Sequence, residues 1–155
     1  MRFPWILWVF LDCASHAYCD ILFVNLLQKQ VVDINTILIA DKSEAFAEAL
    51  ADELCRDYEV HICHSGDTAL DLLANIQPDG LVLDLCLPHM TGIDVLKASS
   101  YQPPVIIGIT NIVTDAVVEV AESVGIKYLF LKPCKPRVVA SHLLELLNSK
   151  EKAAP

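Results

Sequence analysis

Glycine is scarce: five residues in a chain of 155. There is no glycine-rich loop to cradle a nucleotide phosphate and no Gly-x-Ser-x-Gly nucleophile turn, which argues against a small hydrolase or flavin-binding protein. Basic residues are few, eleven Lys and Arg against twenty Asp and Glu, for a formal charge of -9. An acidic chain lacks the basic face needed for direct nucleic-acid binding. Six cysteines form no Cys-x-x-Cys pair, and the five histidines are scattered with no candidate catalytic one. With 54% hydrophobic residues, the chain can build a core without a disulfide framework. Long apolar runs are missing too. Phe3–Leu11 stops at Asp12, well short of the ~20 residues that span a bilayer.

That run belongs to a segment, residues 1–31, unlike the rest. It holds both tryptophans and a second apolar patch, Ile21 to Leu27. Three readings compete: a secretory signal with Ser15-His16-Ala17 as cleavage site, a membrane-surface anchor, and an upstream extension from a misplaced start. The anchor is disfavoured because its polar face is not basic, which argues against membrane contact. The misplaced start is favoured, since Val31 or Val32 leads directly into the first strand. Residues 32–150 are read as one domain and 151–155 as a tail, with fraying from Ser149.

From Thr36 onward, apolar runs alternate with amphipathic stretches. Thr36–Ala40, Tyr58–Cys63, Leu81–Asp84, Val105–Thr110 and Tyr128–Leu131 read as strands. Between them, Phe46, Ala47, Leu50, Ala51 and Leu54 share one helix face, as do Leu70, Leu73 and Ala74, then Val117, Val118, Ala121 and Val124. Ile93–Ala98 suits a short helix. Val139, Leu143, Leu146 and Leu147 line the last one. Ser43 and Thr114 are candidate N-caps, Gly125 a helix stop, and Pro136 fits a first helical turn. Strictly alternating strands and helices imply an α/β fold with a parallel sheet covered on both faces.

In such a sheet all carboxyl ends lie at one edge, where α/β proteins place their sites. Four strands end there in Asp41, Asp84, Thr110 and Lys132. A carboxylate can accept a phosphoryl group as an aspartyl-phosphate. That transfer needs alignment and charge neutralisation. A lysine offers a point charge to phosphate oxygens, a hydroxyl one further hydrogen bond, and neighbouring acids a seat for Mg²⁺. Each residue also has a plain role: Asp84 as a turn acid before Pro88, Asp41 as a helix-start acid, Thr110 as a strand-end residue, Lys132 as a solvated loop lysine. The joint pattern is more specific than any member.

The stretch from about Thr36 to Asn148 resembles a response-regulator receiver domain of two-component signalling. The likeness rests on Leu83-Asp84-Leu85-Cys86-Leu87-Pro88 with Gly92, on Thr110, and on Lys132-Pro133. Tyr128–Pro133 and Leu87–Met90 resemble most the receiver of the stage 0 sporulation master regulator of Firmicutes. The resemblance implies a flavodoxin-like three-layer fold with a five-stranded parallel sheet in order 2-1-3-4-5, an order for which a receiver protein is itself a standard example. It implies Asp84 as phosphoacceptor, with Thr110 and Lys132 contacting the phosphate. Mg²⁺ would sit on Asp41, Asp84 and the backbone carbonyl of Cys86. It further implies a cytoplasmic protein with a histidine kinase or phosphotransfer protein as donor. The output partner is unnamed, no separate substrate is turned over, and the last helix–strand–helix face is a homodimer candidate.

Three positions depart from the family pattern. Lys42 stands where a second metal-binding acid is usual, so Asp41 and Asp84 contribute -2 while Lys42 and Lys132 contribute +2. If the Lys42 ammonium entered the site it would oppose Mg²⁺ by about 4 kcal/mol at ~4 Å and an effective dielectric of about 20; if its flexible stem swings out, solvent screens it. Leu129 occupies the usual aromatic switch position, and Tyr128, one residue earlier, points to the opposite sheet face. Asn111 replaces a small residue after Thr110. Two functions are therefore expected: a phosphorelay receiver switching an interaction face, or an atypical receiver that binds its partner without phosphorylation.

Overall fold

Five parallel strands and five helices alternate through residues 35–151, the part of the chain that the computed structural model describes. The expectations for residues 1–31 lie outside it. The elements are β1 (Thr36–Ala40), α1 (Glu44–Leu54), β2 (Glu59–Cys63), α2 (Gly66–Ile76) and β3 (Gly80–Asp84), then α3 (Gly92–Ala98), β4 (Val105–Thr110), α4 (Asp115–Ser123), β5 (Tyr128–Leu131) and α5 (Pro136–Glu151). The sheet runs β2-β1-β3-β4-β5, as the family resemblance implied. Leu38 pairs with Leu81, Asp84 with Ile109 and Thr110 with Leu131.

Position in the sheet explains the strand composition. All residues of β3 and β4 are buried, because a central parallel strand is covered on both faces and so needs a continuous apolar run. The edge strands β2 and β5 are only partly covered. Two cores result. Ile37, Ile39, Val82, Ile107 and Ile109 pack with α1 and α5, while Leu38, Leu81, Leu83 and Ile106 pack with α2, α3 and α4. Each fully buried leucine or isoleucine contributes about 1.5–3 kcal/mol by leaving water.

Ser43, Ser65, Thr91 and Thr114 cap α1 to α4, each hydroxyl accepting the N–H three residues on. Such caps are worth about 1 kcal/mol each. Gly125, at φ +90, ends the turn after α4 as expected. Three details differ from the periodicity reading. Ala74 is exposed, because Ala69 and Leu73 form the buried stripe of α2 and Ala74 lies one residue round from it. Leu146 is only half-buried, flanked by buried Leu143 and Leu147. The final helix also continues to Glu151 instead of fraying from Ser149: Leu147 anchors its last turns, and no Gly or Pro interrupts them.

The loop that carries the site is pinned by close backbone approach. A Cβ on Gly92 would lie 2.7 Å from the Asp84 carbonyl oxygen and 3.0 Å from Leu85 Cα. A Cβ on Gly66 would collide with the Met90 carbonyl oxygen, and the Gly66 N–H donates to the Pro88 carbonyl at 3.1 Å. The starts of α2 and α3 thus clamp the segment following β3.

Candidate functional site

Asp41, Asp84 and Lys132 meet at the carboxyl edge of the sheet. Both aspartates are fully buried, and the Lys132 side chain is 18% exposed. Lys132 Nζ lies 2.8 Å from Asp84 Oδ2 and 2.8 Å from Asp41 Oδ2. It donates hydrogen bonds to Asp84 Oδ2 and, at 3.0 Å, to Asp41 Oδ1. Its approach to Asp41 Oδ2 is ionic and off the hydrogen-bonding direction, so that buried oxygen has no donor of its own. One ammonium therefore bridges two carboxylates.

Each carboxylate is aimed by its own loop. The Ser43 N–H donates to Asp41 Oδ1 at 2.8 Å, and the Cys86 N–H donates to Asp84 Oδ1 at 2.8 Å. Both are aspartate-to-second-residue turns, the local bond that Asp makes to backbone two residues on. His64, which the sequence did not single out, donates from Nδ1 to the Asp41 carbonyl at 2.8 Å and ties the end of β2 to that of β1. Nothing in the sequence flagged it, since the contact is made across neighbouring strands.

Burial tends to lower the Lys132 pKa, but hydrogen bonds and charge from Asp41 and Asp84 outweigh it, and the net direction is upward. The ammonium also stands 5.7 Å from the Phe46 ring centroid, a cation–π approach. Its backbone is fixed at the end of β5 by the Lys132 N–H, which donates to the Thr110 carbonyl at 2.8 Å.

The other predicted residues are placed as follows. Thr110 is buried at the same edge, but its hydroxyl donates to the Ile112 carbonyl at 3.0 Å and accepts from the Ile112 N–H. It makes no hydrogen bond to the carboxylates. Lys42 is exposed and, among the described residues, makes no ion pair; of the two orientations expected for it, the solvent-facing one is found. Charge neutralisation by two lysines is thus corrected to one, leaving the resting site at -2 + 1 = -1. Cys86 is exposed, and its contact with Asp84 is made through its N–H. Asn111 is exposed and borders a hollow of about 370 Å³ with Ser43, Phe46 and Lys132. Leu129 packs with the core beneath α2 to α4, whereas Tyr128 is 43% exposed and edges against His142 of α5. The two do lie on opposite sheet faces.

Hard oxygen donors of this kind suit Mg²⁺, which takes one or two carboxylates and keeps several waters. Asp41 Oδ2 is buried and accepts no hydrogen bond, so an ion binding it would compete with the Lys132 ammonium 2.8 Å away. No cluster of three His, Cys, Asp or Glu exists among the described residues, and Lys132 already lies between the two acids. Asp41, Asp84 and the Cys86 carbonyl would hold the ion, with water completing its shell. Among the described residues no helix is long and apolar enough to cross a membrane.

Comparison with known proteins supplies the family. The model described as "Response regulator receiver domain" matches residues 37–144. "Response regulator MprA" of Mycobacterium avium (strain 104) is 39% identical over 62 residues, 39% of this chain and 27% of the relative, and the Mycobacterium tuberculosis (strain ATCC 25618 / H37Rv) protein of that name matches equally. The chain thus spans about a quarter of the length of these relatives. A receiver domain protein (CheY-like) from Methanospirillum hungatei JF-1 has the same fold, with TM-score 0.71 at 24% identity over 79% of this chain and all of that one. The receiver domain of AraT from Geobacillus stearothermophilus gives TM-score 0.66 at 23% identity over 77% of this chain and 98% of its own. With a family model covering nearly all the described strands and helices, and the two acids, hydroxyl and lysine at one sheet edge, the chain belongs to the response regulator receiver domain family.

Proposed function

We propose that this domain receives a phosphoryl group on Asp84 and passes the change to a protein partner. The supporting observation is the buried Asp84 carboxylate, aimed by the Cys86 N–H and held at 2.8 Å by Lys132. The donor is a phosphohistidine of a histidine kinase or phosphotransfer protein. The P–N bond to imidazole breaks as an Asp84 oxygen forms the new P–O bond, and the imidazole leaves with a proton from solvent. Little covalent help is needed beyond alignment and charge neutralisation. Lys132 supplies the charge. Mg²⁺, when bound by Asp41, Asp84 and the Cys86 carbonyl, would add neutralisation of the same oxygens.

The switch follows from Thr110. To reach a phosphoryl group on Asp84, its hydroxyl must leave the Ile112 carbonyl, which releases the loop between β4 and α4. That loop adjoins the face of α4, β5 and α5, where Val120, Tyr128, Leu131 and Val138 are exposed. Phosphorylation biases a two-state equilibrium of that face, the proposed site of the output partner or of a second copy. The setting is cytoplasmic, no separate substrate is turned over, and the acidic surface leaves nucleic acid to a partner. The likeness to the sporulation master regulator suggests a phosphorelay.

Incubation of the full chain with acetyl phosphate, with and without Mg²⁺, tests the reading by intact mass. One added phosphoryl group, absent from Asp84→Asn, is expected. An unmodified wild type under both conditions rejects it. A second reading, partner binding without phosphorylation, draws support from the engaged Thr110 hydroxyl and from Leu129 in place of an aromatic. Partner capture unchanged in Asp84→Ala would favour it.

A further inference from the structure

The resting site holds two buried carboxylates against one bridging ammonium. Phosphorylation of Asp84 replaces a single negative charge by a group carrying nearly two, so the deficit of positive charge deepens. Something must supply a cation. Lys42 follows Asp41 directly at the end of β1, and its neighbour Ser43 borders the hollow that Lys132 shares. Lys42 is exposed and makes no ion pair among the described residues, so turning inward breaks no ion pair with them. Asp41 Oδ2 is buried and accepts no hydrogen bond, its one cationic neighbour among the described residues being the Lys132 ammonium at 2.8 Å. The four-carbon stem of lysine lets a compact charge move between solvent and site.

We infer that Lys42 is the second cation of the phosphorylated site. It faces solvent at rest and turns onto the phosphoryl group of Asp84, so that transfer and retention proceed without a divalent metal. This rests on Asp84 being the phosphoacceptor. With acetyl phosphate as donor, the P–O bond to acetate breaks, the P–O bond to Asp84 forms, and acetate departs with the electron pair. Lys42 touches only the transferred oxygens and takes no part in bond making.

The full chain is treated with acetyl phosphate in excess chelator and, separately, in Mg²⁺, and the modified fraction and its decay are followed by mass. Wild type is expected to be modified in both, at rates within about tenfold of each other. Lys42→Gln should lose about tenfold or more in chelator, the size of one nearby charge, while retaining modification in Mg²⁺, and Lys42→Arg should restore the chelator rate. Modification of wild type only in Mg²⁺, or Lys42→Gln equal to wild type in chelator, overturns the inference. A wild type modified in neither condition rejects the phosphoacceptor reading. That outcome also removes the phosphorylated site in which Lys42 would act, and overturns the inference with it.

Discussion

Lys132 Nζ stands 2.8 Å from Oδ2 of Asp84, a carboxylate with no solvent exposure. The same ammonium is the counter-ion of Asp41. Removing it would strand two buried negative charges, whereas removing one aspartate would leave a balanced pair.

The two changes should therefore have opposite effects on stability. Lys132→Met is expected to cost about 3–5 kcal/mol, the penalty for leaving buried charge without its partner. Asp84→Asn should be neutral or stabilising, because it brings the site from -1 to 0 while an amide oxygen can still accept from the Cys86 N–H. Urea unfolding of both variants at neutral pH checks the sign. Equal destabilisation would show that the carboxylates need no counter-ion.

The raised pKa of Lys132 has an alkaline signature. Burial alone lowers it, and hydrogen bonds and charge from Asp41 and Asp84 carry it upward. A group whose folded pKa lies above its unfolded value stabilises fully below the unfolded pKa. That contribution is lost as pH rises from the ordinary lysine value, near ~10.4, through the folded one. Wild type should lose stability across this window, and Lys132→Met should show a shallower decline in the same denaturation series.

Gly92→Ala tests the clamp on the phosphoacceptor loop. Alanine normally favours a helix by about 1 kcal/mol over glycine. Here its Cβ would lie 2.7 Å from the Asp84 carbonyl oxygen and 3.0 Å from Leu83 Cγ. Those atoms belong to a central strand and its core face and have little room to move. Overpacking of this kind costs about 1–3 kcal/mol, so net destabilisation is expected in thermal or urea unfolding. A stabilised variant would mean that α3 can retreat from β3.

Cysteine reactivity should sort by burial. Cys63 is 3% exposed, and burial pushes its thiol from 9.0 up to about 11. Cys55 and Cys86 are exposed. Because the thiolate is the reactive form, brief alkylation at neutral pH followed by peptide mapping should label Cys55 and Cys86 and spare Cys63 until the protein is unfolded. Early labelling of Cys63 would place the end of β2 in solvent.

The strand runs were legible because central parallel strands need continuous apolar sequence, and the helix starts because Ser43, Thr114 and Pro136 act within one turn of their own position. The turns that aim Asp41 and Asp84 had a readable signal as well, since each bond spans only two residues. The contacts of Lys132 with residues 91 and 48 positions away did not.

By itself the sequence determined the alternation of elements, the four polar residues that end four strands, and through them the family. These follow from local periodicity and from the rule that parallel strands share one carboxyl edge. Only the tertiary structure decided what those residues do to one another. Packing of β5 beside β4 delivers Lys132 between two acids, while the loop after β4 takes up the Thr110 hydroxyl. Lys42, adjacent to Asp41 in sequence, is left facing water. Side-chain direction at a strand end depends on what the neighbouring strands and loops leave open, and a one-dimensional pattern carries no record of that.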